Sequence, residues 1–145
     1  MAKALGADHT ISYRTTPDWQ ETVMELTNSD GADIILECGG RETLQKSFGC
    51  IAFGGTIACI GYVSGQQDAP GDRTNINLLA LWRNVTLKGI LVGPRDQFEE
   101  MNAFYEKHKI RPSVDRVFGF DEAKDAFHHL AEGKHFGKVV IRVTV

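Results

Sequence analysis

Short apolar runs alternate with amphipathic stretches along this chain, and this alternation constrains its fold more than any other feature. The clearest run, Ala32–Cys38, contains three consecutive aliphatic residues and stops at a Gly-Gly pair, as a strand buried on both faces does. Such runs, separated by helical patterns, are typical of a parallel sheet with crossover helices. The sequence therefore predicts an α/β fold built on a parallel sheet.

The same alternation predicts the other elements. Strands are predicted at Thr10–Tyr13, Thr56–Ile60, Val85–Val92, Val114–Phe118 and Lys138–Val143. Helices are predicted at Asp18–Leu26, Glu42–Ile51, Leu78–Trp82, Gln97–His108 and Asp121–Ala131, with Asp18 and Asp121 as N-caps. We expect Gly54-Gly55 to break the chain and Tyr62–Asn77 to form an exposed loop. The pattern changes near Gly93, which predicts two parts, residues 1–93 and 94–145.

Composition argues against several classes of protein. With 42% hydrophobic residues and a formal net charge of −3, the 145-residue chain is typical neither of a disordered protein nor of a nucleic-acid binder. Its apolar runs are far shorter than the ~20 residues of a membrane helix, and no signal-peptide pattern opens it. We therefore expect a cytoplasmic protein that binds neither nucleic acid nor a membrane.

Ionisable side chains form no catalytic or metal-binding pattern. The cysteines lie in apolar runs without the spacing of a zinc site, which predicts reduced and buried thiols at Cys38, Cys50 and Cys59. His128 and His129 point about 100° apart on a helix, so a solvated helix face explains them better than a metal site. Glu37 needs a partner if it is buried, and a general-base role for it lacks a neighbouring acid or nucleophile. We predict no catalytic residue and no metal ligand in this chain.

Candidate binding residues follow from the predicted topology. In doubly wound sheets, ligands bind outside the carboxyl ends of the strands. This rule selects the residues that end or follow the three buried strands: Cys38, Gly39, Gly40, Ile60, Gly61, Tyr62, Leu91, Val92 and Gly93. Glycines there let a flat ring approach the backbone, although they could equally serve only to end the strands.

Several motifs occur in the order found in a known family: Ala4-Leu5-Gly6-Ala7-Asp8-His9, Gly31-Ala32-Asp33, Gly39-Gly40, Phe53-Gly54-Gly55-Thr56, Leu87-Lys88-Gly89 and His135-Phe136-Gly137-Lys138-Val139-Val140. Over essentially its whole length, the chain resembles the medium-chain, zinc-type alcohol dehydrogenase and quinone oxidoreductase superfamily. The resemblance implies a partial doubly wound, Rossmann-like sheet that lacks its first strands. It also implies that residues 1–93 are the second half of a dinucleotide-binding domain and residues 94–145 an α+β return segment of the catalytic domain.

The resemblance implies NAD(P) as the cofactor. Cys38, Gly39 and Gly40 would touch its adenosine side, with Arg41 near the adenine face. The groups at Ile60–Tyr62 and Leu91–Gly93 would line the nicotinamide. Lys138 would lie near the phosphates, and an exposed lysine at a strand start is the alternative interpretation.

The resemblance also implies that two parts of the site lie outside this sequence. The Gly-x-Gly-x-x-Gly turn that holds the pyrophosphate is absent, and neither Gly39-Gly40 nor Gly54-Gly55 has its spacing. The family's zinc ligands are likewise expected elsewhere. The implied function is the C-terminal cofactor-domain portion of an oxidoreductase that moves hydride between nicotinamide and an alcohol, aldehyde, ketone or quinone. Alone, this portion should be inactive.

Partner predictions follow from the missing strands. Ala32–Cys38 would have an unpaired edge, and crossover helices on one face would leave the other face bare. We therefore expect a homo-oligomer or pairing with the missing N-terminal half, and relatives dimerise through the edge at Val85–Val92. A non-catalytic binding or assembly module that pairs through its sheet edge is an alternative function. A binder of the adenosine half of a nucleotide is a third.

Overall fold

Three parallel strands form the sheet of the first of two units in the computed structural model, which describes residues 2–67 and 71–144. This unit covers residues 1–92, and the second covers residues 93–145. The strands are β1 (Ala32–Glu37), β2 (Ile51–Cys59) and β3 (Thr86–Gly89), in the order β1-β2-β3. The predicted α/β fold with a partial, Rossmann-like parallel sheet is confirmed.

Helices cover one face of this sheet. Helices α2 (Leu44–Cys50) and α3 (Ile76–Arg83) pack against the strands, and α1 (Trp19–Leu26), which follows a single 3-10 turn at Ala2–Leu5, packs against α2. The buried core consists of Phe48, Ile51 and Ile57, with side chains of α2, α3 and the strands packed around it. On the opposite face, Ile34 and Leu36 are 70% and 67% exposed. The expectation of one covered and one bare face is thus confirmed for the described residues.

Strand β2 differs from the prediction at its start. Ile51 was expected to end a helix and Gly54-Gly55 to break the chain, and both expectations are wrong. Ile51 is fully buried and pairs with Ala32, whereas Ile34 pairs with Thr56, so β2 carries a bulge between these two pairs. Gly54 lies in the bulge with φ +78, a conformation that glycine adopts without strain. Because of the bulge, Ile51 and the Gly54-Gly55 pair lie in one strand, although the sequence pattern assigns Ile51 to a helix and the glycine pair to a break.

Other corrections concern the ends of elements. The strand predicted at Thr10–Tyr13 is wrong: within the described residues, this segment pairs with no strand and belongs to neither sheet. Asp18 precedes α1 without a side-chain capping bond. Helix α3 begins at Ile76, after Asn75, whose side chain accepts a hydrogen bond from the Leu78 amide. The loop predicted at Tyr62–Asn77 therefore ends earlier, and its residues 68–70 lie outside the described residues.

The second unit contains a parallel strand pair and two helices. Helix α4 (Arg95–His108) precedes β4 (Val114–Gly119), and α5 (Ala123–Ala131) connects β4 to β5 (Lys138–Arg142). Phe118 and Ala126 are its buried apolar residues. Asp121 is not the N-cap of α5, because Phe120–Glu122 forms a 3-10 turn in which Glu122 accepts a hydrogen bond from the Gly119 amide at 2.8 Å. Among the described helices of both units, none combines the length and apolarity needed to cross a bilayer.

Candidate functional site

The carboxyl ends of β1 and β2 lead into two loops that interlock. We call residues 38–43 the β1 loop and residues 60–65 the β2 loop. Hydrogen bonds join them at several points: Val63 N to Cys38 O (3.1 Å), Ser64 N to Gly39 O (2.7 Å), Ser64 Oγ to Gly39 O (2.7 Å) and Glu42 N to Ser64 Oγ (3.1 Å). Because the strands are parallel, these loops share one edge of the sheet, where the sequence analysis placed the binding site.

Glu37, the last residue of β1, lies beneath both loops and is only 4% exposed. Its Oε1 accepts hydrogen bonds from the amides of Gly39 (2.8 Å) and Gly40 (3.1 Å) and from the Thr43 hydroxyl (2.5 Å). Its Oε2 accepts a short hydrogen bond from the Ser47 hydroxyl on α2. A strand end, a turn and a helix therefore converge on one carboxylate.

These donors decide the charge of the buried group. Burial by itself raises the pKa of Glu37, but the Ser47 and Thr43 hydroxyls and the Gly40 and Gly39 amides outweigh it. The pKa therefore lies below its ordinary value of 4.5, and the side chain is an anion at neutral pH. A general base needs a pKa near the working pH, so this geometry argues against the general-base role considered from sequence.

The glycines of the loops have internal reasons to be glycine. Gly40 has φ +92, and a Cβ added there would lie 3.0 Å from both Gly65 O and the Tyr62 Cα. A Cβ on Gly61 would lie 3.0 Å from Cys38 O. The Gly39 and Gly40 amides are occupied by Glu37, so they do not form a phosphate cradle. The site can therefore offer flat surfaces and side chains to a ring, but it lacks a backbone cradle for a pyrophosphate.

The side chains at the rim are accessible. Arg41 donates from Nη1 to Gln67 O at 3.2 Å and pairs through Nη2 with Glu42 Oε1 at 3.3 Å. Cys38 and Tyr62 are exposed, which corrects the prediction that Cys38 is buried, whereas Cys50 is buried and Cys59 half-buried. Burial raises the pKa of the Cys50 thiol to about 11. All are free cysteines, as predicted.

An apolar groove runs beside the β1 loop. It has a volume of about 680 Å³. Ile11, Tyr13 and Trp19 line it together with Leu36, Cys38 and Val63. The segment predicted as a strand at Thr10–Tyr13 thus contributes side chains to the groove instead of hydrogen bonds to the sheet.

The remaining candidate residues follow β3 or lie in the second unit. β3 ends at Gly89, and Ile90 N still donates to Cys59 O at 2.9 Å, so Leu91 and Val92 lie beyond the paired strand and are exposed. Gly93 begins the second unit. Lys138 is the first residue of β5, and its amide donates to Ser113 O at 2.8 Å while the residue is exposed.

The second unit contains a hydrogen-bonded histidine–aspartate pair that sequence reasoning missed. His129 Nε2 on α5 lies 2.8 Å from Asp115 Oδ2 on β4, and the Phe136 amide donates to Asp115 Oδ1 at 3.0 Å. His129 is therefore paired rather than simply solvated. Within residues 2–67 and 71–144, no group of three or more His, Cys, Asp or Glu side chains could hold a metal ion.

The comparison with known families decides the identity of the chain. The family described as zinc-binding dehydrogenase matches residues 5–141. The chain belongs to this family. A zinc-type alcohol dehydrogenase-like protein of Schizosaccharomyces pombe is 40% identical over 99% of this chain. An NAD-dependent alcohol dehydrogenase of Sulfolobus acidocaldarius is 32% identical over 99% of this chain.

Solved structures of zinc-binding dehydrogenase relatives place the chain in the same part of the fold. A crystal structure of an NAD-dependent alcohol dehydrogenase superposes with a TM-score of 0.81 and 30% identity, over 99% of this chain and 40% of that one. The chain likewise spans 41% of the S. pombe relative and 40% of the S. acidocaldarius relative. The matched portion is the C-terminal part of these proteins, with the Rossmann-like domain.

The zinc of the family has no place among the residues described here. A zinc site takes four ligands, or three and a water, from Cys, His and carboxylate side chains. The described part of the chain provides no such group.

Proposed function

We propose that this chain supplies the ring-binding surface for NAD(P) in an alcohol dehydrogenase-like oxidoreductase. The observation that carries the proposal is the pair of interlocked loops at the carboxyl ends of β1 and β2, in a chain of the zinc-binding dehydrogenase family. A bound nicotinamide would accept or donate the hydride. The residues of this chain would orient the rings and exclude water around them.

Each strand end has a separate role in this proposal. The adenosine side would lie against the β1 loop, with the Arg41 guanidinium over the adenine face. The nicotinamide would lie against the residues that follow β2 and β3. In the first unit, the contact residues would be Cys38, Gly39, Gly40, Arg41, Ile60, Gly61, Tyr62, Leu91 and Val92. Gly93 and Lys138 belong to the second unit, and their contacts stay predictions from the family resemblance. Catalytic groups and the pyrophosphate cradle would come from another part of the enzyme.

Binding of NADH by this chain tests the proposal. We expect an affinity no better than roughly millimolar, because the phosphate contacts are missing. Amide resonances of the two loops should shift in an NMR titration, and Arg41→Ala should weaken binding several-fold. Arg95→Ala is the matched control, because Arg95 is an exposed guanidinium in the second unit that pairs with Glu99. Shifts confined to other residues, or equal weakening by both variants, would contradict this assignment.

Turnover by the chain alone tests its incompleteness. With NADH and a panel of aldehydes, ketones and quinones, we expect no measurable oxidation of the cofactor. Robust zinc-dependent turnover would show that the chain contains a complete active site, contrary to this proposal.

A second candidate function is assembly through the sheet. The exposure of Ile34 and Leu36 on the bare face favours it, because monomers rarely expose contiguous apolar patches of this kind. A second copy could pair along the β3 edge, or an N-terminal half of the enzyme could cover β1. Light scattering tests both modes of assembly: a larger mass of the chain alone would support pairing of two copies, a larger mass only with an N-terminal half would support the second mode, and a stable monomer in both cases would contradict both. We propose the cytoplasm as the compartment, since the cysteines are free thiols, and no nucleic-acid partner.

A further inference from the structure

Glu37 is connected to both loops of the candidate site, through different atoms. Its carboxylate holds the β1 loop through the Gly39 and Gly40 amides. Its backbone carbonyl holds the β2 loop, since it accepts hydrogen bonds from Ile60 N at 2.8 Å and Gly61 N at 3.4 Å. One residue therefore sets the starting direction of both loops.

We propose that Glu37 is a positioning residue for dinucleotide binding, which fixes the two loops relative to each other without touching the ligand. This inference rests on the function proposed above. The side chain is only 4% exposed, at the floor of the apolar groove, and its carboxylate oxygens already accept hydrogen bonds from four donors of the chain itself, so it acts on the loops rather than on a ligand. Its effect on affinity must therefore pass through the loops.

The ionised form of Glu37 is essential to this role. All of its side-chain partners are donors, two amides and two hydroxyls, and an ionised carboxylate is an acceptor-only group. A glutamine of the same size would present an N–H group to one of these donors. Glu37→Gln therefore keeps the packing volume but weakens the hold on the β1 loop.

The main alternative is that Glu37 stabilises the whole first unit and has no specific effect on the two loops. Two measurements distinguish this alternative from the positioning role. The first is local amide exchange at Gly39 and Gly40, compared with core amides such as that of Ile57. The second is the pH dependence of the Gly39 and Gly40 resonances, which should follow the protonation of Glu37 in the wild-type chain and lose that titration in Glu37→Gln. A purely structural role would raise exchange throughout the unit.

The decisive experiment compares the wild-type chain, Glu37→Gln and Asp33→Asn. Asp33 is an exposed carboxylate on the same strand, so Asp33→Asn is the matched control. In Glu37→Gln we expect Gly39 and Gly40 exchange to rise about tenfold or more, and NADH affinity to fall about tenfold, with core exchange little changed. Asp33→Asn should match the wild type in all three measurements.

The outcomes distinguish this inference from the proposed function. If the wild-type chain binds NADH and Glu37→Gln binds it equally well, positioning is wrong while the proposed function stands. If NADH shifts no loop resonance of the wild-type chain up to the highest concentration that stays soluble, the proposed function fails, and the inference that depends on it fails too. Unchanged exchange at Gly39 and Gly40 in Glu37→Gln overturns positioning whatever NADH does. Should Glu37→Gln unfold, Thr43→Val, which removes only one donor to Oε1, must show the same local exchange effect or the inference is rejected.

Discussion

Two carboxylates anchor loops in this molecule, and their surroundings differ. Glu37 in the first unit is buried and accepts hydrogen bonds from two amides and two hydroxyls. The Asp115 side chain in the second unit is 27% exposed and has two partners, His129 and the Phe136 amide. The His129 hydrogen bond, followed by the Phe136 amide, lowers the pKa of Asp115, so both carboxylates favour the ionised form.

The difference shows how burial sets the number of donors that an anion needs. Desolvation opposes ionisation strongly at Glu37 and is only a minor influence at Asp115. A partly hydrated carboxylate stays ionised with few protein donors, because water supplies the rest. We therefore expect the first unit to depend on its carboxylate far more than the second unit does.

Replacing each carboxylate by leucine should give the largest difference in stability between the two units. Glu37→Leu leaves buried donors without an acceptor, and each such donor costs about 1–3 kcal/mol. After partial relaxation, we expect the free energy of unfolding of the first unit to fall by about 3 kcal/mol in urea denaturation. Asp33→Leu, at an exposed site on the same strand, should change it by less than about 0.5 kcal/mol. If Asp115→Leu destabilises the second unit as much as Glu37→Leu destabilises the first, the contrast between the two carboxylates is wrong.

Single donors to Glu37 should have smaller effects. Ser47→Ala removes a buried hydroxyl bonded to a charged group, a contact that contributes about 1.5–3 kcal/mol. Thr43→Val should cost less, because Oε1 keeps the two glycine amides as partners. Urea midpoints for the two variants check this order. A larger loss for Thr43→Val would show that Oε1 rather than Oε2 carries most of the stabilisation.

The sequence predicts the strands and helices more completely than it predicts the hydrogen bonds around Glu37 and Asp115. The aliphatic runs in β1 and β2 predict strands, and the helical pattern between them predicts their parallel arrangement. The expectation that β1 is buried on both faces is wrong, because Ile34 and Leu36 are exposed on the uncovered face. Thr10–Tyr13 has a weaker strand pattern, and a strand also needs a neighbouring strand to pair with. The bulge at Gly54 was missed because a glycine pair is equally consistent with a turn.

The sequence does contain a partial signal for the Glu37 network. Thr43 and Ser47 are four residues apart, which places both hydroxyls on one side of the start of α2, facing the end of β1. Without the fold, the sequence indicates only that a buried Glu37 needs a partner. For Asp115 and His129 there is no comparable signal, since fourteen positions and a change of element separate them. Their contact depends on how α5 packs against β4.

Acid should reduce stability through both carboxylates. The pKa of each is lower in the folded chain than its ordinary value, 4.5 for Glu37 and 3.8 for Asp115, so the unfolded chain binds protons first as the pH falls. The stabilisation is complete above these ordinary values and is lost as the pH falls through the lower folded values. In urea denaturation from pH 7 to pH 3, Glu37→Gln should flatten the decline below about pH 4.5. An unchanged slope in Glu37→Gln, with Asp33→Asn as the control, would mean that other carboxylates cause the loss.

The smallest expected effect concerns the second unit. Asp115→Asn keeps an acceptor for the Phe136 amide but removes the charge beside His129, so the hold on the segment between α5 and β5 weakens without a buried group losing its partner. We expect faster amide exchange at Phe136 and little change at Phe118 in the core of the unit. Glu132→Gln at the end of α5 is the control, because Glu132 pairs only with the exposed Lys134 among the described residues. Amide exchange that rises equally at Phe118 and Phe136 would mean that Asp115 stabilises the whole second unit. The contrast between the buried Glu37, which stabilises its unit, and the partly hydrated Asp115, which holds only one loop, would then be wrong.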